Sequence, residues 1–216
     1  MLAAGLVISM PAALAETQIS VFGGANTNFS SPVRLTGPIT DNRTIDWAGD
    51  SFEMPPYWGV RGTYWLNRAS SWGIALEYTH AKAMGQIDFA ADGVYDKLEF
   101  SDGNNLLMLN LMYRFNPIWQ GRFVPYVGIG AGFTIPHVEV TLDGVAQRTF
   151  EYQWAGAAAQ GLAGLEYKLN DSWSMFAEGK IAYSHIDADL AHGGGLRTYL
   201  WSPAIAVGLT YRFPGQ

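Results

Sequence analysis

The chain has 216 residues and a formal net charge of −6, with 49% hydrophobic, 14% aromatic and 15% charged residues. The negative balance argues against nucleic-acid binding, which requires a basic surface, and the absence of cysteine excludes disulfides, thiolate metal sites and cysteine nucleophiles. Beyond the first 15 positions no apolar run reaches the about 20 residues of a transmembrane helix. Abundant aromatics with a mean hydropathy of only +0.03 are typical of a barrel whose strands alternate between lipid and a polar interior.

The N-terminal segment is the first predicted element. Residues 2–15 are mostly apolar and end in Ala13-Leu14-Ala15, the small-x-small pattern of a signal peptidase site. We therefore interpret residues 1–15 as a signal peptide, truncated because its basic n-region is missing. Residues 16–216 are predicted to form a single outer-membrane β-barrel domain in a Gram-negative-type envelope.

A strand ending recurs along the mature chain: an aromatic residue, any residue, then Leu or Phe, usually followed by Asn and shortly by Trp. Because Tyr and Trp settle at lipid headgroup level, these endings predict one rim of a barrel. The turns after them are short, as on a periplasmic side, and each interval has room for one long hairpin. The motif occupies residues 64–67, 113–116, 167–170 and 211–213.

Hydrophobic residues alternate with a period of two between these endings, as half-buried strands require. We predict an all-β fold: an eight-stranded antiparallel up-and-down transmembrane β-barrel with short periplasmic turns and long extracellular hairpins. Asp92-Gly93 and Asp143-Gly144 suit hairpin tips, and the first outer connection, 28–51, is predicted to be irregular. The predicted strands are 17–27, 52–66, 72–84, 97–115, 122–140, 149–169, 173–187 and 196–213.

Charged residues within the strands fall on one parity, which we assign to the interior. An eight-stranded barrel is filled by its side chains, so a paired network is favoured over a pore. Glycines at 128, 130 and 132 lack the following helix of a dinucleotide fingerprint and are interpreted as small interior residues. The interior charges are Arg61, Glu77, Arg114, Glu166, Glu178 and Lys180.

The histidines, at positions 80, 137, 185 and 192, all lie at or beyond the predicted outer strand ends, near several carboxylates. Such a group could ligate a divalent cation or perform acid-base chemistry; solvated loop residues are the alternative. His185, Asp187 and Asp189 alternate in an extended segment, so they share one face and are predicted as a metal site.

Four sequence blocks, 51–59, 77–82, 98–103 and 136–140, resemble the lipid A oxidase family, and blocks 125–132 and 209–213 resemble small OmpA-like surface antigens. The resemblance implies oxygen-dependent oxidation of the proximal glucosamine of lipid A to 2-aminogluconate. It also implies an active site at the outer rim, since lipid A lies in the outer leaflet. The candidate catalytic residues in the matching blocks are His80, His137, Glu53, Glu99, Asp102 and Glu139.

The expected co-substrate is molecular oxygen, with a divalent cation as a candidate cofactor; no flavin, haem or nucleotide signature occurs. The expected partners are outer-membrane lipids, above all lipopolysaccharide, and the chain is expected to be a monomer. Because the enzymatic assignment depends on resemblance, a non-enzymatic surface antigen or structural barrel remains the alternative. A small-solute channel is disfavoured by the charged, filled interior.

Overall fold

The structure is a computed structural model that describes residues 16–66 and 70–213. The predicted signal peptide, 1–15, and Asn67 of the first strand-ending motif lie outside the described residues. Within the described ranges no helix is long and apolar enough to cross a membrane.

The described residues form fourteen strands and one four-residue helix, which confirms the all-β prediction. The elements are β1 (Glu16–Asn26), β2 (Ser31–Thr36), β3 (Asp41–Ile45), β4 (Trp47–Ala48), β5 (Trp58–Trp65), β6 (Trp72–His80), β7 (Ala83–Gly85), α1 (Phe89–Asp92), β8 (Tyr95–Phe100), β9 (Asn104–Arg114), β10 (Phe123–Leu142), β11 (Thr149–Tyr152), β12 (Gly156–Lys168), β13 (Trp173–Asp189) and β14 (Gly195–Arg212).

Eight of these strands close into a ring in the order β1, β5, β6, β9, β10, β12, β13, β14 and back to β1, every pair being antiparallel. Each barrel strand pairs with its neighbours along the chain, apart from the seam between β1 and β14. The predicted eight-stranded up-and-down barrel is therefore confirmed.

An apolar band surrounds the barrel. On β13 the outward residues run from Trp173, which is 44% exposed, through Met175 and Ile181 to Tyr183. At about 3.3 Å per residue and a tilt of about 40°, this stretch is about 25 Å tall, the height of a bilayer's apolar band. Aromatic girdles bound it on both sides. The inner girdle includes Trp72, Tyr113, Phe123, Tyr167, Trp173 and Tyr211, and the outer girdle Trp58, Tyr78, Phe133, Tyr183, Tyr199 and Trp201.

Paired charges fill the interior of the membrane half, as predicted. Arg61 contacts Glu77 at 2.5 Å and Glu178 at 2.7 Å, and Lys180 lies 2.9 Å from Glu77. Nearer the inner mouth, Arg114 and Arg212 bind Glu16 at 2.9 and 3.0 Å, and Arg212 also binds Glu166 at 2.9 Å. These groups compensate one another's charge in a region removed from bulk water.

The glycines of β10 are required by close packing. A Cβ atom at Gly130 would lie 2.0 Å from Asn110 Oδ1, and one at Gly132 would lie 1.9 Å from the carbonyl oxygen of Leu107. At Gly132 the obstacle is backbone, so no side chain fits, whereas at Gly130 the Asn110 side chain would have to move. Both contacts agree with the interpretation of these glycines as small residues that let neighbours fill the barrel.

Above the outer girdle the strands enclose a second core that is apolar. The β2–β3 hairpin adds to β14, while β11, β10, β8, β7 and β4 form a continuous sheet. Trp47 and Phe100 stack inside with ring centroids 5.6 Å apart. The buried residues of this outer core are Val33, Leu35, Ile45, Trp47, Ala83, Tyr95, Leu98, Phe100, Val138, Val140, Leu142, Ala155, Ile186, Ala188, Leu190, Leu196 and Leu200.

Some predictions for the outer connections were wrong. The segment 28–51, predicted to be irregular, contains β2, β3 and β4, because its apolar residues pack into the outer core. The predicted strand 52–66 begins only at Trp58. Asp92-Gly93 ends helix α1 rather than forming a tight turn, and the Asp92 carboxylate accepts hydrogen bonds from the backbone amides of Val94 and Tyr95. The turn at Asp143-Gly144 is confirmed, with Gly144 at φ +66°.

The predicted strands 97–115 and 149–169 each divide in two, at 101–103 and at 153–155. Both breaks lie beside Pro136 and His137 of the strand between them: Gln153 N–H donates to Pro136, and His137 N–H donates to the Gly103 carbonyl. Because proline has no N–H to donate to a ladder, regular pairing is interrupted at this height.

Candidate functional site

Two buried histidines lie on the outward face of the barrel, immediately above the outer girdle. His80 ends β6 on the same parity as Tyr78, and His137 lies on β10 on the same parity as Phe133. Each is only 4% exposed although it points away from the interior. We refer to these histidines with Tyr78, Asp102, Asn105 and Tyr152 as the rim cluster.

The break between β8 and β9, at 101–103, brings the carboxylate of Asp102 into the rim cluster. Gly103, at φ +98°, adopts a conformation that favours glycine and allows the chain to turn between β8 and β9. The turn places the Asp102 carboxylate 3.6 Å from His137 Nδ1. This distance is too long for a hydrogen bond but within ion-pair range.

Asn105 orients His80. Its amide nitrogen faces the carbonyl oxygens of Asp102 and Ile135, so its Oδ1 atom is the acceptor for Tyr78, at 2.8 Å, and for His80 Nδ1, at 2.9 Å. A neutral His80 therefore carries its proton on Nδ1. Its Nε2 atom is buried and makes no hydrogen bond of good geometry within the described residues. Burial lowers the pKa of the His80 ring, and a backbone contact with Pro55 opposes this shift.

An aromatic wall stands beside His137. Its ring packs against Phe150 and Tyr152, with centroids 4.4 and 4.7 Å away. Those two rings and Trp154 are 53%, 57% and 69% exposed. Contiguous exposed aromatics of this kind mark interaction sites, and their flat faces can pack against a sugar ring.

Two carboxylates lie on the outward face of the barrel, above the rim cluster. Glu99 and Glu139 are directly opposite each other in the β8–β10 ladder. Lys97 lies 2.7 Å from Glu99 and 2.9 Å from Glu139, which also accepts hydrogen bonds from Ser101 and Arg148. Burial raises the pKa of Glu99. Burial also disfavours the charge on Glu139, but its hydrogen bonds outweigh this and lower its pKa to about 2.

Glu53 does not join this group through its side chain. The side chain is exposed, whereas the Glu53 carbonyl accepts a hydrogen bond from the buried Lys82 at 3.1 Å. Lys82 also bonds the Met54 carbonyl, so it anchors the segment preceding β5. Of the six candidate catalytic residues, the structure gathers five on one side of the barrel.

The predicted metal residues lie elsewhere. His185, Asp187 and Asp189 do share the outward face of β13, but β13 is four strands away from β6 around the ring. Asp187 is paired with Arg197 at 2.9 Å. No three His, Asp or Glu side chains in residues 16–66 and 70–213 are grouped so that they could hold a metal ion. The geometry therefore does not support the predicted three-ligand site.

Sequence reasoning missed Tyr78, Asn105 and Tyr152. Tyr78 and Asn105 lie at outward-facing positions of their strands, and each places a polar group next to the apolar band. That parity signal was available in the sequence. The contact of Tyr152 with His137 depends on the β10–β11 register, which local patterns do not encode.

The model of the outer membrane protein beta-barrel domain family matches residues 1–213. The chain belongs to this family. Its members are outer-membrane β-barrels, and the chain is accordingly an integral outer-membrane protein. Outer membrane protein Omp38 of Acinetobacter baumannii is 28% identical over 126 residues, covering 58% of this chain and 31% of Omp38. The chain thus spans about a third of the length of the curated relatives it matches.

Solved structures of other outer-membrane barrels are also similar to this family member. Neisserial surface protein A has 12% identity and a TM-score of 0.46, with 92% of this chain and 97% of that one covered. Ail of Yersinia pestis has 15% identity and a TM-score of 0.45, with 93% and 99% covered. The outer membrane protease OmpT of Escherichia coli has 8% identity and a TM-score of 0.47, with 96% and 99% covered.

Proposed function

We propose that this outer-membrane barrel is an enzyme that acts on lipid A, and that the reaction is the oxidation implied by its resemblance to lipid A oxidases. The observation that carries the proposal is the position of His80 and His137: both are buried, both face outward, and each has a ring nitrogen without a hydrogen bond in the described structure. A site on the outward face at headgroup level suits a substrate that arrives laterally through the membrane.

An apolar groove beneath the rim cluster supports this route. A cavity of about 440 Å³ lies on the lipid-facing side of β6, β9 and β10, the strands that carry the histidines and Asn105. Its lining includes Leu109, Ile129 and the small Ala131. An acyl chain in this groove would hold the attached headgroup near the rim cluster.

The proposed reaction converts the hemiacetal at C1 of the proximal glucosamine into a lactone. Two electrons and two protons pass to molecular oxygen, giving hydrogen peroxide, and hydrolysis of the lactone yields 2-aminogluconate. His80 Nε2 would accept the proton of the C1 hydroxyl. Asp102 would orient the His137 ring, and the aromatic wall would position the sugar.

The test uses the purified, refolded barrel in detergent with lipid A whose C1 hydroxyl is free, so that the hemiacetal is present, under air and under nitrogen. Product mass and hydrogen peroxide are followed together. We expect an oxygen-dependent gain of one oxygen atom with release of peroxide. No product in either atmosphere, from a folded barrel supplied with divalent cations, would refute the enzyme and favour a non-enzymatic surface barrel.

His80→Ala and His137→Ala should each lower the rate by about 10²- to 10⁴-fold, as expected for loss of a general acid or base. His192→Ala, in the connection between β13 and β14, is the matched control and should retain full activity. If both rim variants turn over at the wild-type rate, the rim cluster is not the active site.

A further inference from the structure

Two arginines face each other on the side of the barrel opposite the rim cluster. Arg34 of β2 and Arg197 of β14 are direct cross-strand partners, and both are exposed on the outward face. The same row continues to Asp187 on β13 and to Asn42 on β3. We call these four residues the arginine row.

The charges of the row are not balanced internally. Like charges directly opposite each other in a sheet are destabilising. Arg197 is neutralised by Asp187 at 2.9 Å, but Arg34 forms no ion pair within the described residues. Within the row, Arg34 is therefore a positive charge without an ion-pair partner, and it lies next to a second guanidinium group; Asp189, one outward position beyond Asp187, lies at the edge of the same cavity. An anion bound between the two guanidinium groups would stabilise this arrangement.

The height of the row identifies the source of that anion. Arg197 lies one outward position above Tyr199 of the outer girdle. Two residues of a tilted strand rise by about 5 Å along the barrel axis, which is within the headgroup layer, about 5 to 7 Å thick on each side of the hydrocarbon. Lipid phosphates occupy this layer.

The surface is also concave where a phosphate would sit. A cavity of about 360 Å³ is lined by both arginines, Thr36, Asp187, Asp189 and two glycines. Guanidinium groups bind phosphate oxygens through paired, charge-assisted hydrogen bonds. We propose that the arginine row binds the phosphate group of an outer-leaflet lipid headgroup directly, without a metal ion between protein and lipid.

This proposal does not depend on the oxidation reaction, because the row and the rim cluster share no residue. It is tested with the folded chain in detergent micelles by native mass spectrometry, with phosphorylated lipid A, lipid A lacking phosphate and inorganic phosphate as probes. The Arg34→Gln/Arg197→Gln double variant is compared with Arg122→Gln, which removes an exposed arginine at the inner end of the barrel.

We expect the double variant to lose about tenfold or more in affinity for phosphorylated lipid A, and Arg122→Gln to bind like the wild type. Removing the lipid phosphate should weaken wild-type binding by a similar factor, and EDTA should have no effect. The proposal is overturned if the double variant binds normally, if EDTA abolishes binding, or if inorganic phosphate competes at concentrations comparable with the lipid.

Discussion

The membrane half and the outer half of the barrel use the same strands with opposite polarity. Even-numbered residues of β13 face inward along its whole length: they include Glu178 and Lys180 in the membrane half, but Ile186 and Ala188 in the outer half. The outward-facing residues change in the opposite way, from apolar in the membrane half to polar in the outer half. The alternation has one period throughout, and the medium outside the barrel, lipid or water, decides which face is apolar.

The two halves are therefore stabilised by different interactions. The membrane half gains little from hiding apolar surface on its outside, because lipid is as apolar as its side chains, and its interior is held by hydrogen-bonded charges. The outer half has a hydrophobic core like that of a water-soluble protein.

The largest effect is expected from breaking the charged interior. Glu77→Ala leaves Arg61 and Lys180 without one of their shared carboxylates and should lower the free energy of unfolding by about 3–5 kcal/mol. Urea unfolding in detergent micelles, followed by tryptophan fluorescence, measures it. Glu151→Ala, at an exposed position in β11, is the control and should change stability by less than about 0.5 kcal/mol. Equal losses in the two variants would contradict the role of the network.

A smaller loss of stability is expected from a substitution in the outer core. Leu98 is fully buried, and Leu98→Ala should destabilise the outer half by about 2–5 kcal/mol, measured as faster proteolysis of the outer hairpins. Leu111→Ala is the matched control, because Leu111 faces lipid and lipid can fill the space. Similar destabilisation by both substitutions would mean that the two halves do not differ as described.

The smallest effect is a pH dependence confined to the outer half. Ionised Glu139 stabilises this half above its ordinary pKa of 4.5, and the stabilisation is lost as pH falls toward its folded pKa of about 2. Glu99 has the opposite sign: its raised pKa means that protonation stabilises the fold, and this contribution is lost as pH rises. Protection against hydrogen exchange in β8 and the upper part of β10, measured relative to the intrinsic exchange rate at each pH, should therefore be highest at mildly acidic pH.

Substituting each carboxylate in turn distinguishes their contributions to the pH dependence. Glu99→Gln should remove the decline in protection toward neutral pH, whereas Glu139→Gln should remove the loss in acid. A pH profile that neither substitution alters would show that this pair does not control the stability of the outer hairpins.

The barrel was predictable because its signals are local. Period-two alternation and the aromatic endings at Tyr113 and Tyr167 marked the strands, and parity placed Arg61 and Glu178 inside. The outer core was not predicted, although the apolar parity of β13 changes beyond Tyr183 and could have revealed it. A strand that projects beyond the membrane gives the same period-two pattern whether or not its inner face packs into a core.

The candidate site was predictable only in part. The histidines were expected at the outer rim, but the proximity of Asp102 to His137 depends on a strand break at Gly103. Likewise, the pairing of Thr36 with Gly195 joins residues far apart in the sequence, and no local pattern specifies such a partner.

That pairing also imposes an order of assembly. The β2–β3 hairpin finds its ladder partner only when β14, the last of the described strands, lies next to it at the seam with β1. Contacts across such sequence separation carry a large loop-closure entropy and form slowly. The outer core should therefore be the last region to become ordered, and Val33 and Leu35 should stay exposed to water until the barrel has closed.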